Sequence, residues 1–358
     1  MPSKTSYDIV IIGAGPAGAN LARLIDAGHY RVLLVDASGL RPKVCAGLLS
    51  PDAQKLLARY RITLPSDVLS HPQLTSVRVI DVNEPRVRHY RRRYLNLDRA
   101  AFDRYLVSLV PSTTKVVNAC CQSIDRQTDG YSLCLRHADG HTEQIFAHYI
   151  VGADGASSLV RRSLFADEHI QKYVSIQQWF AADSSDPYYS CVFDHTTSES
   201  CSWIFFKDGQ LIFGGAFAPH GCRAAFEAQK QKLMARGTVP AEVLARPLKT
   251  EACRISRPRL TRGIFHGGQG AYLVGEAAGF ISPSSFEGIS YALASGEALA
   301  TAFNTSKGAT DILRAYRKRT ARLCRKVRVK CLKRPFMYLP FLRRLILALG
   351  IGSHKPTK

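Results

Sequence analysis

The chain begins with a strand–helix–strand pattern of apolar residues. Tyr7–Ile12 is almost continuously apolar, as expected of a strand that is buried on both faces of a parallel sheet. Asn20–Ala27 has apolar residues at helical spacing, and Gly28 favours the end of that helix. Arg31–Val35 is a second apolar strand and leads into Asp36. The pattern predicts a β-α-β unit at the start of the fold.

The rest of the chain alternates between strand-like and helix-like patterns, without an internal repeat. We predict antiparallel ribbons at Leu74–Val79 and Val87–Tyr94, a helix at Asp98–Val110, and short strands at Val116–Ala119, Tyr131–Leu135 and Gln144–His148. Residues from about 170 to 250 are rich in strand-forming aromatic residues. A buried strand near residue 270 then precedes a helix from about Gly288 to Phe303.

The turn after the first strand carries a dinucleotide-binding pattern. Gly13-Ala14-Gly15-Pro16-Ala17-Gly18 fits G-x-G-x-x-G, in which the glycines permit a tight turn, a close approach of pyrophosphate and close helix–strand packing. The following helix N-terminus offers free N–H groups to phosphates. Asp36, at the end of the second strand, can accept hydrogen bonds from ribose hydroxyls. This pattern predicts a dinucleotide site and does not by itself separate FAD from NAD.

Two further segments resemble FAD enzymes of the glutathione-reductase and hydroxybenzoate-hydroxylase type. Val151–Asp154 with Gly155 resembles their "ADG" segment, and Tyr272–Ile289 resembles their third segment, usually "GDAAG". The resemblance implies FAD-binding roles for Gly13, Gly15, Gly18, Asp36, Asp154, Gly155, Gly275, Glu276, Gly288 and Ile289. Arg99 matches an "R-x-x-F-D" arginine near the pyrophosphate; the alternative is a solvated helix arginine.

The third segment raises a question about Glu276, which stands where this superfamily usually has Asp. The family carboxylate accepts a hydrogen bond from a ribityl hydroxyl, and small residues beside it let the backbone approach the flavin. The resemblance also implies that the helix opening at Gly288-Ile289 directs its N–H groups at the flavin N1/C2=O edge. Glu276 either bonds the ribityl chain from a displaced backbone or points into the substrate cavity as an acid.

Three stretches resemble geranylgeranyl-reductase-like flavoproteins, and the likeness spans roughly residues 6–335. They are Lys43–Gly47 ("KPCGG"), Ser202–Lys207 with Phe213–Gly215 ("YxWxFP…GxG"), and Ile281–Ile289 ("GFISPxxGEGI"). Val44, Ala46 and Phe206 depart from these patterns. The resemblance implies an α/β, Rossmann-type FAD-binding domain with an inserted antiparallel β-sheet substrate domain. It also implies reduction of a carbon–carbon double bond in an apolar, isoprenoid-like lipid.

Candidate catalytic residues are Cys45, Trp203 and Phe205. Cys45 would be a proton donor or substrate contact beside the flavin, or an unreactive small residue that lines the loop. Trp203 and Phe205 alternate along one strand and share a face, which either walls a substrate cavity or belongs to the core. Aromatic monooxygenation and a structural role for FAD in a membrane-associated protein stay open as alternatives. Since no second G-x-G-x-x-G exists, the donor is transiently bound NAD(P)H or an electron-carrier protein.

The net charge of +21 is concentrated at the C-terminus, where Ile312–Lys358 holds 15 Lys or Arg and no acid, and the rest of the chain is about +6. A smaller basic cluster lies at Arg86, Arg88 and Arg91–Arg93. Helical spacing is seen at Ile312, Tyr316, Leu323, Val327 and Cys331, and we expect Pro335 and Pro340 to break that helix.

No run in this C-terminal region approaches the 18 apolar residues of a spanning helix. We expect a helix in the interface of an anionic membrane, with packing on the body and a frayed end as the alternative. Nucleic-acid binding ranks last, because few aromatic residues interleave with the basic ones.

Cysteine usage and the N-terminus complete the expectations. The ten cysteines include no C-x-x-C pair, so zinc-ribbon and thioredoxin-type sites are not supported, and no metal site is predicted. Without an apolar signal-peptide core, we expect a cytoplasmic protein, with peripheral association at the inner face of the cell membrane. We predict an FAD-binding domain of residues 1–73, 95–165 and 251–305, a substrate domain of 74–94 and 166–250, and a basic helical region of 306–358.

Overall fold

A computed structural model describes residues 5–37, 39 and 44–354. Within these residues the strands are β1 (Thr5–Ile12), β2 (Val32–Asp36), β3 (Leu48–Leu49), β4 (Ser76–Asp81), β5 (Val87–Tyr90), β6 (Leu95–Asn96), β7 (Lys115–Gln127), β8 (Gly130–His137), β9 (Thr142–Gly152), β10 (Gln171–Ala181), β11 (Tyr188–Phe193), β12 (Cys201–Lys207), β13 (Gln210–Phe217), β14 (Pro247–Arg257), β15 (Gly267–Gly268) and β16 (Ala271–Leu273). The helices are α1 (Pro16–Leu24), α2 (Pro51–Arg59), α3 (Arg99–Ser108), α4 (Leu159–Leu164), α5 (Cys222–Ala235), α6 (Ala241–Leu244), α7 (Ile289–Thr305), α8 (Ala309–Tyr338) and α9 (Pro340–Leu349).

The first sheet is built on parallel strands. β1 pairs in parallel with both β2 and β9, β2 pairs in parallel with β7, and β9 pairs in parallel with β16. The distal part of β7 continues antiparallel through β8 to β9, and β15 extends the edge beside β16. β1 and β2 are buried almost throughout, because α1 and α7 cover one face of this sheet. The predicted mixed α/β architecture is thus confirmed.

The second sheet is mainly antiparallel, in the order β14-β10-β13-β12-β11-β4-β5, and only β11 and β4 run parallel. The predicted antiparallel pairing of the ribbons near residues 74–94 is confirmed by β4 and β5. The first sheet takes its strands from residues 5–36, 115–152 and 267–273, and the second from 76–90 and 171–257. The domain boundaries themselves stay a prediction.

Helices α5 and α6 interrupt the aromatic region that the sequence suggested to be strand-rich. Phe226 of α5 stacks on Phe213 of β13 with ring centroids 4.9 Å apart, so α5 covers one face of the second sheet. Its apolar residues are widely spaced, and the buried face includes Gln229 and Lys230. This mixture weakens the helical periodicity on which the sequence prediction depended.

The long helix α8 packs on the first sheet through the apolar residues that the sequence spacing predicted. Ile312, Tyr316 and Val327 are buried in the main core, and the Tyr316 hydroxyl donates to Leu273 O at 2.9 Å. His266 packs edge-on against Tyr316 and lies 2.7 Å from the Thr320 hydroxyl. Burial lowers the pKa of His266 to about 4. Helix α8 is therefore an integral part of the fold.

The prediction that Pro335 ends this helix is wrong. Helix α8 continues to Tyr338 with Pro335 inside it, and Pro340 is the first residue of α9. Proline at position 335 removes only one backbone donor, and the turn after it is closed by Leu339 N donating to Pro335 O at 2.9 Å. Pro340 begins a helix because the first turn needs no donor at that position.

Candidate flavin and substrate site

The predicted cofactor segments meet at one edge of the first sheet. Ile12 is in register with Val35 on one side and with Gly152 on the other, and Gly152 is in register with Leu273. These four residues stand at or next to the carboxyl ends of their parallel strands. Gly13 and Asp36 directly follow Ile12 and Val35, and Asp154 and Gly275 stand two positions after Gly152 and Leu273. Ligands of open α/β sheets bind in the crevice outside such strand ends.

A cavity of about 1600 Å³ lies at this edge and extends to the second sheet. Of the predicted cofactor residues, it is lined by Gly13, Ala14, Gly15, Pro16, Ala17, Asp36, Arg99, Asp154, Gly155, Glu276, Gly288 and Ile289. Gly18 and Gly275 are not part of the lining. Of the predicted catalytic residues, Cys45 and Trp203 line the cavity and Phe205 does not. Lys43 of the "KPCGG"-like stretch lies outside the described residues.

The G-x-G-x-x-G turn leaves room for a phosphate group at the start of α1. Gly15 is the N-cap of α1, no side chain caps it, and a Cβ there would meet no protein atom within 4 Å. Gly13 has φ +106°, where only glycine is unstrained. A Cβ on Gly18 would lie 1.9 Å from Gly13 O, so this glycine serves close packing. The turn therefore fits a pyrophosphate in front of the α1 N-terminus.

Asp154 has one oxygen committed to the protein and one without a protein partner. Its Oδ2 accepts from Leu159 N at 2.6 Å, whereas Oδ1 is buried without a hydrogen-bond partner. Burial raises the pKa of Asp154, although hydrogen bonds to its carboxylate oppose that shift. An orphaned acceptor in the lining of the cavity fits a ligand that brings hydroxyl donors, as FAD does.

Glu276 follows Gly275 and extends toward the second sheet. A Cβ added at Gly275 would lie 2.9 Å from the Ala17 side chain. Its Oε1 accepts from the backbone N–H of Ser256, the penultimate residue of β14, at 2.7 Å. The Ser256 hydroxyl in turn accepts from Lys172 Nζ at 2.9 Å. Burial lowers the pKa of Lys172 to about 8, against the attraction of Glu276. The longer Glu side chain thus joins the third cofactor segment to the second sheet, while its bond to a ribityl hydroxyl stays a prediction.

Arg161 also ties two cofactor segments together, a role that the sequence did not reveal. Its guanidinium is buried and donates to Ala277 O at 2.7 Å and to Glu168 O at 2.8 Å. Burial lowers the pKa of Arg161 to about 10. The residue therefore fixes the "ADG"-like segment against the segment that contains Glu276. The adjacent pair of arginines after the "ADG"-like motif was the only indication in the sequence.

Arg99 and Cys45 line the cavity, and Lys207 lies next to the Cys45 loop. Arg99 Nε donates to Asp103 Oδ1 at 2.9 Å, and the guanidinium also interacts with the Cys45 thiol. Burial alone would lower the pKa of Arg99, but Asp103 and Cys45 together raise it. Lys207 Nζ donates to Ala46 O at 2.6 Å, and burial lowers its pKa to about 8. Cys45 therefore has two cationic neighbours, which distinguishes it from an inert loop residue.

The two aromatic candidates on β12 have different environments. The Trp203 ring lines the cavity and lies over Gly214 of β13, where a Cβ would come within 2.5 Å of its Nε1. Phe205 is only 1% exposed and packs with Leu74 and Ile212. The core alternative therefore applies to Phe205, because it is buried in this cluster and does not line the cavity.

Sequence reasoning also missed a pair of interacting thiols on the substrate sheet. Cys191 of β11 and Cys201 of β12 both line the cavity. They are diagonal neighbours on paired strands, since Cys191 is in register with Trp203 and Phe193 with Cys201. A hydrogen bond from Cys191 lowers the pKa of the Cys201 thiol. Only knowledge of which strands pair could have brought these two cysteines together. None of the ten cysteines is in a disulfide, and the described residues contain no cluster of side chains suited to a metal ion.

The fold and the site define a flavoprotein. Residues 118–327 match the family described as "FAD binding domain", so the chain belongs to this family of FAD-binding proteins. It has the fold of FAD-dependent oxidoreductases and monooxygenases. The open turn at Gly15 and the orphaned Asp154 oxygen are consistent with this cofactor.

Among named relatives, the chain is 41% identical to protein CbrA of Escherichia coli O6:H1 (strain CFT073), over 98% of this chain and 95% of that protein. A geranylgeranyl bacteriochlorophyll reductase-like protein from Thermoplasma acidophilum has a similar structure, with a TM-score of 0.81, 17% identity, and coverage of 98% of this chain and 92% of that one. The p-nitrophenol 4-monooxygenase PnpA from Pseudomonas putida DLL-E4 is also similar, with a TM-score of 0.72, 16% identity, and coverage of 97% and 93%.

Proposed function

We propose that the protein is an FAD-dependent oxidoreductase that reduces a carbon–carbon double bond of an apolar, isoprenoid-like substrate. The observation that carries this proposal is the apolar extension of the cavity from the cofactor segments onto the second sheet. That extension is lined by Val77, Tyr94, Phe193, Trp203, Phe286 and Leu347. At about 1600 Å³ the cavity exceeds the roughly 300–1000 Å³ of a site for one small molecule, so it has room for a cofactor and a second ligand.

The residues that would hold FAD follow from the geometry of the strand ends. The N-terminus of α1 would bind the pyrophosphate, Asp36 and Asp154 would accept from hydroxyl groups, and Gly288 and Ile289 at the start of α7 would face the flavin. When bound, FAD supplies two-electron chemistry by accepting electrons from a donor and passing them to the substrate as a hydride. We infer that NAD(P)H or an electron-carrier protein is that donor.

Cys45 is the best candidate for the proton that must reach the second carbon of the reduced double bond. Cys45 lines the cavity, and its thiol interacts with the Arg99 guanidinium and with the Lys207 ammonium. These cations would stabilise the thiolate that remains after the proton has left. Trp203 would provide a flat apolar wall against which the substrate chain packs. We expect Cys45→Ala to slow reduction at least tenfold while leaving FAD bound.

A second candidate function is aromatic monooxygenation, which the likeness to the p-nitrophenol monooxygenase fold supports. The two functions differ in what happens to oxygen. A reductase adds two hydrogen atoms to its substrate and needs no oxygen, whereas a monooxygenase adds an oxygen atom. A structural role for FAD is the third possibility, and it requires that no donor reduces the flavin at a useful rate.

One experiment separates these possibilities. The purified protein would be loaded with FAD, and bleaching of its visible absorption by NADPH, NADH or a reduced ferredoxin would be followed without oxygen. Geranylgeraniol or extracted membrane lipid would then be added to the reduced protein, in parallel with and without oxygen, and the products analysed by mass spectrometry. A gain of two hydrogen atoms supports the reductase. Oxygen-dependent gain of one oxygen atom contradicts it, and failure of every donor to bleach the flavin points to structural FAD.

A further inference from the structure

The exposed apolar residues of the described chain are concentrated in the last two helices. Of twelve large hydrophobic residues that are exposed, eight lie between residues 329 and 351, with exposed fractions from 43% to 74%. We call these eight the apolar stripe: Val329, Leu332, Phe336, Leu339, Phe341, Leu345, Leu349 and Ile351. Its members have helical spacing within α8 and again within α9, so each helix presents one apolar face to solvent. Such a contiguous patch marks an interaction surface.

The opposite face of α9 closes the cavity. Arg343, Ile346 and Leu347 line the cavity from this helix. Arg343 is buried and donates from Nε to Asp81 Oδ2 of β4 at 2.6 Å, and Arg88 of β5 donates to Leu347 O at 2.6 Å. Helix α9 thus has lining residues that face the cavity and exposed apolar side chains that face solvent.

One mouth of the cavity, which we call the cavity mouth, is bordered by Phe336 of the apolar stripe and by two arginines of the smaller basic cluster. Phe336 belongs to the stripe, is 53% exposed and also lines the cavity. Arg91 and Arg92 are exposed and line the cavity as well. The Arg92 guanidinium lies over the Tyr94 ring at 5.4 Å from its centroid. Residues that are both exposed and part of the lining mark an opening. The cavity mouth is therefore bordered by the Phe336 side chain and by the guanidinium groups of Arg91 and Arg92.

The charge around the apolar stripe is positive. Arg325, Arg328, Lys333 and Arg344 are exposed on the same two helices, and the chain contains no Asp or Glu from Ile312 onward. No helix within the described ranges has the length and apolarity needed to span a bilayer. Apolar side chains bordered by Lys and Arg fit the boundary between anionic headgroups and acyl chains.

We propose that α9 and the end of α8 dock this protein on an anionic lipid bilayer, with the cavity mouth against the membrane. An apolar substrate then passes between the bilayer and the cavity beside α9 without crossing water. The docking is inferred only from the apolar stripe and the positive charge around it, whereas the substrate transfer rests on the function proposed above.

Vesicle flotation with the full-length, FAD-loaded protein tests the docking. We expect binding to phosphatidylcholine vesicles that contain 30% phosphatidylserine, and much weaker binding to pure phosphatidylcholine. The triple variant Phe341→Ser/Leu345→Ser/Leu349→Ser should lose at least tenfold in vesicle partitioning. The matched control Leu248→Ser/Leu260→Ser changes exposed apolar residues outside the stripe and should bind as the wild type does. Retained FAD absorption in both variants verifies that they fold.

Charge reversals provide the second arm. Arg325→Glu/Lys333→Glu should weaken binding to anionic vesicles at least tenfold, whereas Arg136→Glu/Arg246→Glu, with the same net charge, should have little effect. Equal losses in the two pairs would mean that net charge alone drives binding, and would overturn the proposal. Concentration-dependent dimerisation that the triple serine variant abolishes, without vesicle binding by the wild type, would overturn it in favour of a second copy of this chain.

Substrate transfer needs a separate readout. Turnover of an isoprenoid that is supplied in anionic vesicles should fall in the triple serine variant, while turnover from detergent micelles should not. Equal rates from vesicles in the variant and the wild type would contradict the transfer. If neither form turns over any isoprenoid, the proposed reaction fails, and the flotation result still decides the docking.

Discussion

Replacement of Glu276 tests whether the extra methylene at this position joins the two sheets. The carboxylate accepts from Ser256 N–H at 2.7 Å, and Ser256 is completely buried. In Glu276→Ala the N–H of Ser256 loses this charged acceptor. Hydrogen bonds to charged groups contribute about 1.5–3 kcal/mol, so we expect the free energy of unfolding to fall by about that amount.

Glu276→Asp and Glu276→Gln separate reach from charge. Aspartate is shorter by one carbon–carbon bond, about 1.5 Å, which places its oxygen beyond hydrogen-bonding distance of Ser256 from an unmoved backbone. We therefore expect Asp to be nearly as destabilising as Ala. Glutamine keeps the length and a carbonyl acceptor, so it should lose no more than about half of that free energy.

The assay is urea unfolding of the deflavinated protein, followed by fluorescence titration with FAD. Unfolding in the absence of FAD isolates the Ser256 contact, and the titration then reports any separate contribution of Glu276 to the flavin. An Ala variant that unfolds like the wild type would refute the reasoning, and so would an Asp variant that is more stable than the Gln variant. A weaker FAD affinity in the Gln variant, whose fold is preserved, would support a bond to the ribityl chain.

Three further predictions concern the turn, a buried histidine and a buried ion pair. Gly15→Val should leave the unfolding of the deflavinated protein nearly unchanged but abolish FAD binding, because the added side chain enters the open cavity. Gly18→Val should instead unfold the chain, because its side chain would collide with Gly13 O, and circular dichroism would show this. The pKa of His266 is about 4 in the folded protein, against about 6.5 when unfolded. The free energy of unfolding should therefore be highest above about pH 6.5 and fall by up to about 3 kcal/mol toward pH 4. A His266→Gln variant whose free energy of unfolding in urea keeps this pH dependence would contradict the prediction. Arg343→Met should lower the free energy of unfolding by about 3–5 kcal/mol, because it leaves Asp81 buried and unpaired. Asp81→Asn in the same chain should restore much of this loss. Thermal unfolding of the single and double variants checks this, and additive losses would count against it.

The cofactor half of the site could be predicted from the sequence, because its requirements are local. A tight turn needs glycines at fixed spacing, and Gly13 has the positive φ that this role implies. A strand that is buried on both faces needs a run of apolar residues, as in β1. Once that run predicts where the strand ends, it also predicts which residue follows at the edge of the sheet. Parallel pairing then brings separate strand ends to one edge. Gly13 and Asp36 followed from the turn pattern and Asp154 and Glu276 from the resemblance to FAD enzymes, and their cofactor roles stay predictions.

The substrate half depended on tertiary structure, because its contacts join distant parts of the chain. Asp81 and Arg343 are 262 positions apart, and no local pattern predicts that a basic C-terminal helix reaches the strand β4. The pairing of β11 with β12 decided that Cys191 and Cys201 face the cavity together. Likewise, only the packing of β12 separated Trp203, at the cavity, from Phe205, in the core. The sequence determined which residues could bind a flavin, and the arrangement of the second sheet and of α9 decided what else could enter beside it.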